Sequence, residues 1–269
     1  MDVTIFKELL SNKELMLEIY GDLAKPGVKE VGKALATVLG LGNTILLPIH
    51  MLNEKSKVIV SKNLDKYRRK IEQYPEGDII QVSPEIGVPI LEKLMYIEDD
   101  TLTDMFSELL AKSSNKEQVS RAHPRFVNVI SGISPDEAAI IKCLASHYFG
   151  IAYISVIRDK LNSSLFHVLC RIYTDAFDQL SLCYGKNLEL YLDNLEALGV
   201  IEFRGNTYSE INQEIYNKLK LGAENEFNKS GVLPGYSDRL SFVKKEIKLT
   251  SFGRCFSSAC LVLGSKITA

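Results

Sequence analysis

With 269 residues, 46% of them apolar and 25% charged, the chain has the profile of a foldable protein of one large domain or two small ones. Its 32 Lys and Arg stand against 34 Asp and Glu, and the net charge of −2 excludes a uniformly basic nucleic-acid coat protein while leaving room for a local basic face. The 17 glycines, eight prolines and absent tryptophan exclude collagen-like, mucin-like and disulfide-scaffold chains.

The first half reads as successive helices. Phe6, Leu9, Leu10, Leu15, Leu17 and Ile19 recur at mixed helical spacing, and Pro26 marks a restart. Between Lys33 and Glu54 no residue is formally charged. The segment 34–53 is long enough to cross a bilayer at about 1.5 Å per residue, yet Gly40, Gly42, Asn43, Pro48 and His50 would leave polar groups facing lipid. The preferred expectation is two core helices meeting at Gly42-Asn43; insertion into a membrane, or contact with its surface, is the alternative.

A long helical pattern then runs over 43–74, closed by Pro75 and Gly77. It carries Lys55, Lys57, Lys62, Lys66, Arg68, Arg69 and Lys70 against Glu54, Asp65 and Glu72, seven cations to three acids and so net +4. Such a face can meet anionic lipid or nucleic acid, although a solvated face offset by acids elsewhere is the commoner outcome. Ser83-Pro84-Glu85 has the residue types of a helix start. Asp99-Asp100 precedes an amphipathic stripe of Leu102, Met105, Phe106, Leu109 and Leu110. Residues 115–122 are polar and read as a connection or a short exposed helix. His123-Pro124 opens another apolar run, and Ser134-Pro135-Asp136-Glu137 starts the next helix, placing the domain boundary near residue 133.

The second half changes character. A helix over 134–148 is followed by 150–185, rich in Ile, Leu, Phe and Tyr and of uncertain course. Leu188, Tyr191, Leu192, Leu195 and Leu198 line a helix that ends at Gly199. Residues 200–203 form a short strand with 242–249 as its partner, a helical insertion lies between them near 205–238, and Thr250 caps a last helix. The expected architecture is mainly α: an N-terminal helical domain (1–133), then a winged-helix-like α+β domain (134–269) with a small antiparallel β-wing.

Chemical motifs are sparse. The odd set of Cys143, Cys170, Cys183, Cys255 and Cys260 contains no CxxC and predicts buried, reduced thiols in a cytosolic protein. The N-terminus lacks the pattern of a secretory signal. His50, His123, His147 and His167 form no HExxH; Cys143 and His147, four apart, are two ligands at most and do not close a zinc site. No GxxxxGK[ST], GxGxxG or GxSxG occurs. Neither a cofactor nor a metal is expected, and the chain is read as no enzyme. The helix a winged-helix protein would place in the major groove, 187–198, carries Glu189, Asp193 and Glu196 and no Lys or Arg, which opposes phosphate neutralisation. The basic wing residues Arg239, Lys244, Lys245 and Lys248 do not compensate alone. A protein-contact module is therefore preferred over a DNA reader.

Four stretches, taken in order, resemble the Abi-alpha (abortive infection alpha) family of prokaryotes. They are Asp22-Leu23-Ala24-Lys25-Pro26 running through Val31-Gly32-Lys33-Ala34-Leu35 to Asn43-Thr44-Ile45-Leu46-Leu47-Pro48; Phe106-Ser107-Glu108-Leu109-Leu110-Ala111; His123-Pro124-Arg125-Phe126 with Ile133-Ser134-Pro135-Asp136-Glu137-Ala138; and Leu249-Thr250-Ser251-Phe252-Gly253 with Phe256 and Cys260. The resemblance implies defence against phage by abortive infection, in the cytoplasm or at the inner membrane, and brings no catalytic residue with it. Pro26 and Pro124 also fit helix starts, and Gly253 fits close packing of the last helix. The candidate interaction residues are Lys62, Lys66, Arg68 and Arg69 on the basic face, with Asp22, His123 and Arg125 from the motifs. The expected partner is a phage or host protein, with membrane contact through 34–53 and 55–70, DNA less favoured, and homo-oligomerisation left open.

Overall fold

A computed structural model describes residues 54–94, 96–205, 212–229 and 234–262. Among them are eight α-helices and one four-stranded antiparallel sheet, divided between two compact units. One unit holds the described residues up to Pro135 together with 258–262, and the other holds 136–257.

The first unit is helical. Helices α1 (Glu54–Ile71), α2 (Pro84–Leu94), α3 (Asp100–Ser113) and α4 (Arg125–Ser131) follow one another, with a single 3-10 turn at Val119–Arg121 in the polar connection. Asp99 starts α3 as the sequence predicts: its carboxylate accepts the N–H groups of Thr101 and Leu102 at 3.0 and 2.9 Å, satisfying two donors that a helix start leaves open. The stripe Met105, Phe106, Leu109 and Leu110 is fully buried, and α3 packs against α1, α2 and α4. Polar groups within this core are matched. Tyr67 donates to the Ser114 hydroxyl at 2.9 Å, since Ser114 Oγ already donates to the Leu110 carbonyl. Asn63 donates its amide to the carbonyls of Leu94 and Ile97, closing the end of α2.

The second unit contains α5 (Pro135–Ala145), β1 (Ile151–Asp159), β2 (Phe166–Tyr173), α6 (Leu188–Ala197), β3 (Ile201–Gly205), α7 (Gln213–Phe227), β4 (Ser241–Leu249) and most of α8 (Ser251–Cys260). The strand order is β2-β1-β4-β3, every neighbouring pair antiparallel. The expected pairing of 200–203 with 242–249 is present as β3 and β4, Ile201 lying opposite Leu249 and Phe203 opposite Ile247. The expected small wing is corrected, however. Two further strands come from the uncertain stretch, so the β element is a four-stranded sheet. The expected helical insertion near 205–238 contains α7, which runs over Gln213–Phe227. Tyr216, Leu219 and Ala223 cover Ala152, Ile154 and Val156 of β1, and Phe227 completes the stripe. An added Cβ at Gly222 of this helix would lie 2.9 Å from the Tyr173 hydroxyl.

Two backbone devices join α6, β3 and α8. Gly199, with φ of +76°, ends α6: its N–H reaches the Glu196 carbonyl and that of Val200 reaches Leu195, a Schellman closure. Thr250 caps α8 by accepting the Gly253 N–H at 2.8 Å and donating to the Gly199 carbonyl at 2.6 Å. Gly253 then lies directly on the Val200 carbonyl, where any Cβ would overlap the oxygen. The close-packing role expected of this glycine is present.

Candidate interaction surface

Among the described side chains on the basic face of α1, most cations pair with acids of the same unit. Lys62 and Lys66 both reach the Asp100 carboxylate at 3.0 Å, and Lys66 also donates to the Asp100 carbonyl. Arg68 stands 3.5 Å from Asp65 and 3.8 Å from Glu72 on its own helix. Arg69 is exposed. The structure thus gathers Lys62 and Lys66 on one acid at the start of α3 and leaves Arg69 facing water. Asp22 and the segment 34–53 lie outside the described residues.

Sequence reasoning missed the strongest electrostatic feature of this unit. Lys70 bonds Glu108 at 2.8 Å and Asp104 at 3.0 Å, and Glu108 takes a second cation, Lys112, at 2.9 Å. Lys112 also donates to the Ser258 carbonyl at 2.7 Å, in the last turn of α8. Burial pushes the Glu108 carboxyl up, but the hydrogen bonds and charges of Lys70 and Lys112 outweigh it and hold it below the ordinary carboxylate value. Desolvation of Lys70 is likewise outweighed by Glu108 and Asp104, so its ammonium is held above the ordinary lysine value. The signal for this cluster was the i,i+4 spacing of Asp104, Glu108 and Lys112 on one helix.

His123, Pro124 and Arg125 form an exposed helix entry. The ring Nδ1 of His123 accepts the Arg125 N–H at 3.1 Å, so the imidazole caps α4, and the ring lies 5.7 Å from that of Phe126. Arg125 projects from the first turn of the same helix, exposed.

Asp136 has a role beyond starting its helix. Only 6% exposed, it accepts the N–H groups of Cys183 and Tyr184 at 2.9 and 3.0 Å and the Tyr191 hydroxyl at 2.9 Å. Burial raises its carboxyl, and the three donors more than reverse the effect, holding it below the ordinary aspartate value. Glu137 accepts from the Asn194 amide at 2.6 Å. Together the two acids fasten the start of α5 to the chain entering α6.

Helix α6 therefore presents a defined surface. Glu189 and Asp193 turn to Arg171 of β2, whose guanidinium also lies over the Phe203 ring, 5.6 Å from its centre. At the amino-terminal end of the helix Tyr184 and Leu190 are 69% and 64% exposed. Large apolar side chains standing in water suit contact with a protein, and no cation on the helix is offered to a phosphate.

Cys143 and His147 meet only through the His147 ring Nδ1 and the Cys143 carbonyl, at 2.8 Å. Among the described residues no three of His, Cys, Asp and Glu gather as metal ligands. All five cysteines are free, but the expectation that they are buried is corrected: Cys183 and Cys255 are exposed, Cys143 and Cys170 half-buried, and Cys260 alone is enclosed. Cys255 fails because α8 is apolar on one face only and its thiol falls on the other. Among the described residues no helix is long and apolar enough to cross a membrane.

Comparison with known proteins finds the abortive infection alpha family model over residues 60–260. No curated protein matches. Among solved structures, an uncharacterized protein from the hydrocarbon-degrading marine bacterium Alcanivorax borkumensis SK2 is similar at 18% identity and a TM-score of 0.31, over 54% of this chain and 94% of that one.

Proposed function

The chain belongs to the abortive infection alpha family, and from that premise we propose that it defends a prokaryotic cell against phage by binding another macromolecule, without catalysing a reaction of its own. The observation that carries this reading is the amino-terminal end of α6, where Tyr184 and Leu190 stand in water while Glu189 and Asp193 of the same helix pair with Arg171. Its partner is a protein of phage or host. The succession of α5, α6, β3, β4 and α8, with β1 and β2 inserted after α5 and α7 after β3, supports a winged-helix-like reading of the second unit, with α6 in the place of the docking helix. In a DNA reader that helix would bring cations to the backbone, and here its acids instead hold Arg171.

Phage plating tests the reading. Tyr184→Ser with Leu190→Ser removes the apolar contact at positions that touch solvent, so the variant keeps its Tm and loses protection. Undiminished protection by a folded double variant overturns the assignment.

A second reading, attachment to the inner membrane, is favoured by the uncharged sequence 34–53. Of the α1 cations, Lys62 and Lys66 pair with Asp100, whereas Arg69 faces water. Flotation with anionic liposomes at low and high salt tests it, and absence of lipid association under both conditions removes it.

A further inference from the structure

We propose that the chain pairs with a second copy of itself along the outer edge of β2, joining two four-stranded sheets across a two-fold axis. This goes beyond the reading given for α6 and does not depend on it.

The sheet order leaves β2 at an edge, and the backbone phase of that edge follows from one bond. Lys160 N–H donates to the Leu165 carbonyl at 2.9 Å, so Leu165 turns its backbone toward β1. Antiparallel pairs alternate between bonded and non-bonded. His167, opposite Arg158, therefore turns inward, while Phe166 and Val168, opposite Asp159 and Ile157, turn their N–H and C=O groups outward. No strand lies beyond them among the described residues. Their side chains share the sheet face opposite the one Ala152, Ile154 and Val156 present to α7, and they are 57% and 46% exposed. Two adjacent outward residues thus combine unpaired backbone groups with apolar side chains in water.

Edges of this kind are normally guarded by charge or proline. Residues 161–170 contain neither. The opposite edge, β3, is only five residues long and carries Glu202 and Arg204. That difference selects the occupant. A neutral strand with apolar residues at alternate positions fits the β2 edge, and β2 itself is such a strand. A two-fold axis at His167 sets Phe166 against the partner's Val168, and Val168 against the partner's Phe166. Each is an aromatic–β-branched pair, and four backbone hydrogen bonds run between them. Beyond Val168 the register shifts between β1 and β2 bend the strand, which limits the contact to this short segment. Since each copy has one unguarded edge among the described residues, the pairing closes as a dimer and does not extend into a fibre.

Sedimentation velocity on the full chain, followed across a wide concentration range, tests the proposal. The wild type is expected to show a reversible monomer–dimer equilibrium. Val168→Lys is expected to lose the dimer with an unchanged Tm, whereas Leu221→Lys, on exposed α7 surface, keeps it. The axis makes a geometric demand as well: His167 meets the partner's His167 in a non-bonded pair at about 4.5 Å between Cα atoms, within disulfide reach. His167→Cys is therefore expected to cross-link on oxidation, with Leu221→Cys and the wild type as controls that do not. A wild type that stays monomeric throughout overturns the proposal. So does a dimer that survives Val168→Lys, or a His167→Cys protein that cross-links no faster than its controls.

Discussion

The Tyr191 hydroxyl and the Asp136 carboxylate lie 2.9 Å apart across 55 residues of sequence. This bond, with those from the Cys183 and Tyr184 N–H groups, holds the first turn of α5 against the chain leading into α6. The position and tilt of the exposed Tyr184 and Leu190 are set by a carboxylate that scarcely touches water.

Asp136→Ala is expected to destabilise the protein by about 2–4 kcal/mol, since it leaves two backbone donors and a hydroxyl without their charged acceptor. Denaturant unfolding measures it. The folded-state carboxyl is held below its unfolded value, so its contribution is complete above the ordinary aspartate value near 3.9 and is lost as pH falls through the folded one. A stability difference between wild type and Asp136→Asn that is constant near neutral pH and shrinks as the solution is acidified checks the sign.

Glu108→Gln breaks a mostly buried node and leaves Lys70 and Lys112 short of a counter-charge, an expected loss of about 2–4 kcal/mol. Glu108 is depressed and Lys70 raised, so the node stabilises between about pH 4.3 and pH 10.4 and weakens on either side. Wild type and variant should therefore converge in Tm toward both extremes of pH.

Gly253→Ala places a methyl group on the Val200 carbonyl, backbone against backbone, with no flexible side chain to yield. The expected destabilisation is about 2–3 kcal/mol or more. Thr250→Ala removes the cap and the bond to the Gly199 carbonyl, leaves the backbone contact unchanged, and is expected to cost about 1–2 kcal/mol. If the two variants unfold at the same denaturant concentration, the close approach at Gly253 is wrong.

A duplex DNA titration is expected to show no binding at physiological salt. Glu189, Asp193 and Glu196 give α6 a negative charge, and affinity for duplex DNA comes from neutralising phosphates. Binding that falls steeply with added salt would reverse the preference for a protein partner.

The helices of the first unit, the cap at Asp99, the closure at Gly199 and the tight contact at Gly253 were legible because each rests on local residue chemistry. Strands β1 and β2 were not. β1 is buried on both faces, so its sequence lacks the alternation that marks a half-buried strand, and β2 exposes apolar residues on an edge, which blurs the same signal from the other side. The basic run on α1 was visible as a count of charges, but its ion pairs depend on Asp100, Asp104 and Glu108 of α3, which only the fold brings alongside. Asp136 was read as a helix start because its partners at Cys183, Tyr184 and Tyr191 are remote in sequence. Tyr184 and Leu190 were invisible as a surface, since no local pattern distinguishes an exposed apolar residue from a core one.

The hold of Lys112 on the Ser258 carbonyl has a consequence for the order of synthesis. Helix α3 leaves the ribosome well before the residues that complete its charge cluster, so a nascent chain halted short of Ser258 carries Lys112 without that acceptor. The first unit is then complete only after the last turn of α8 has been made.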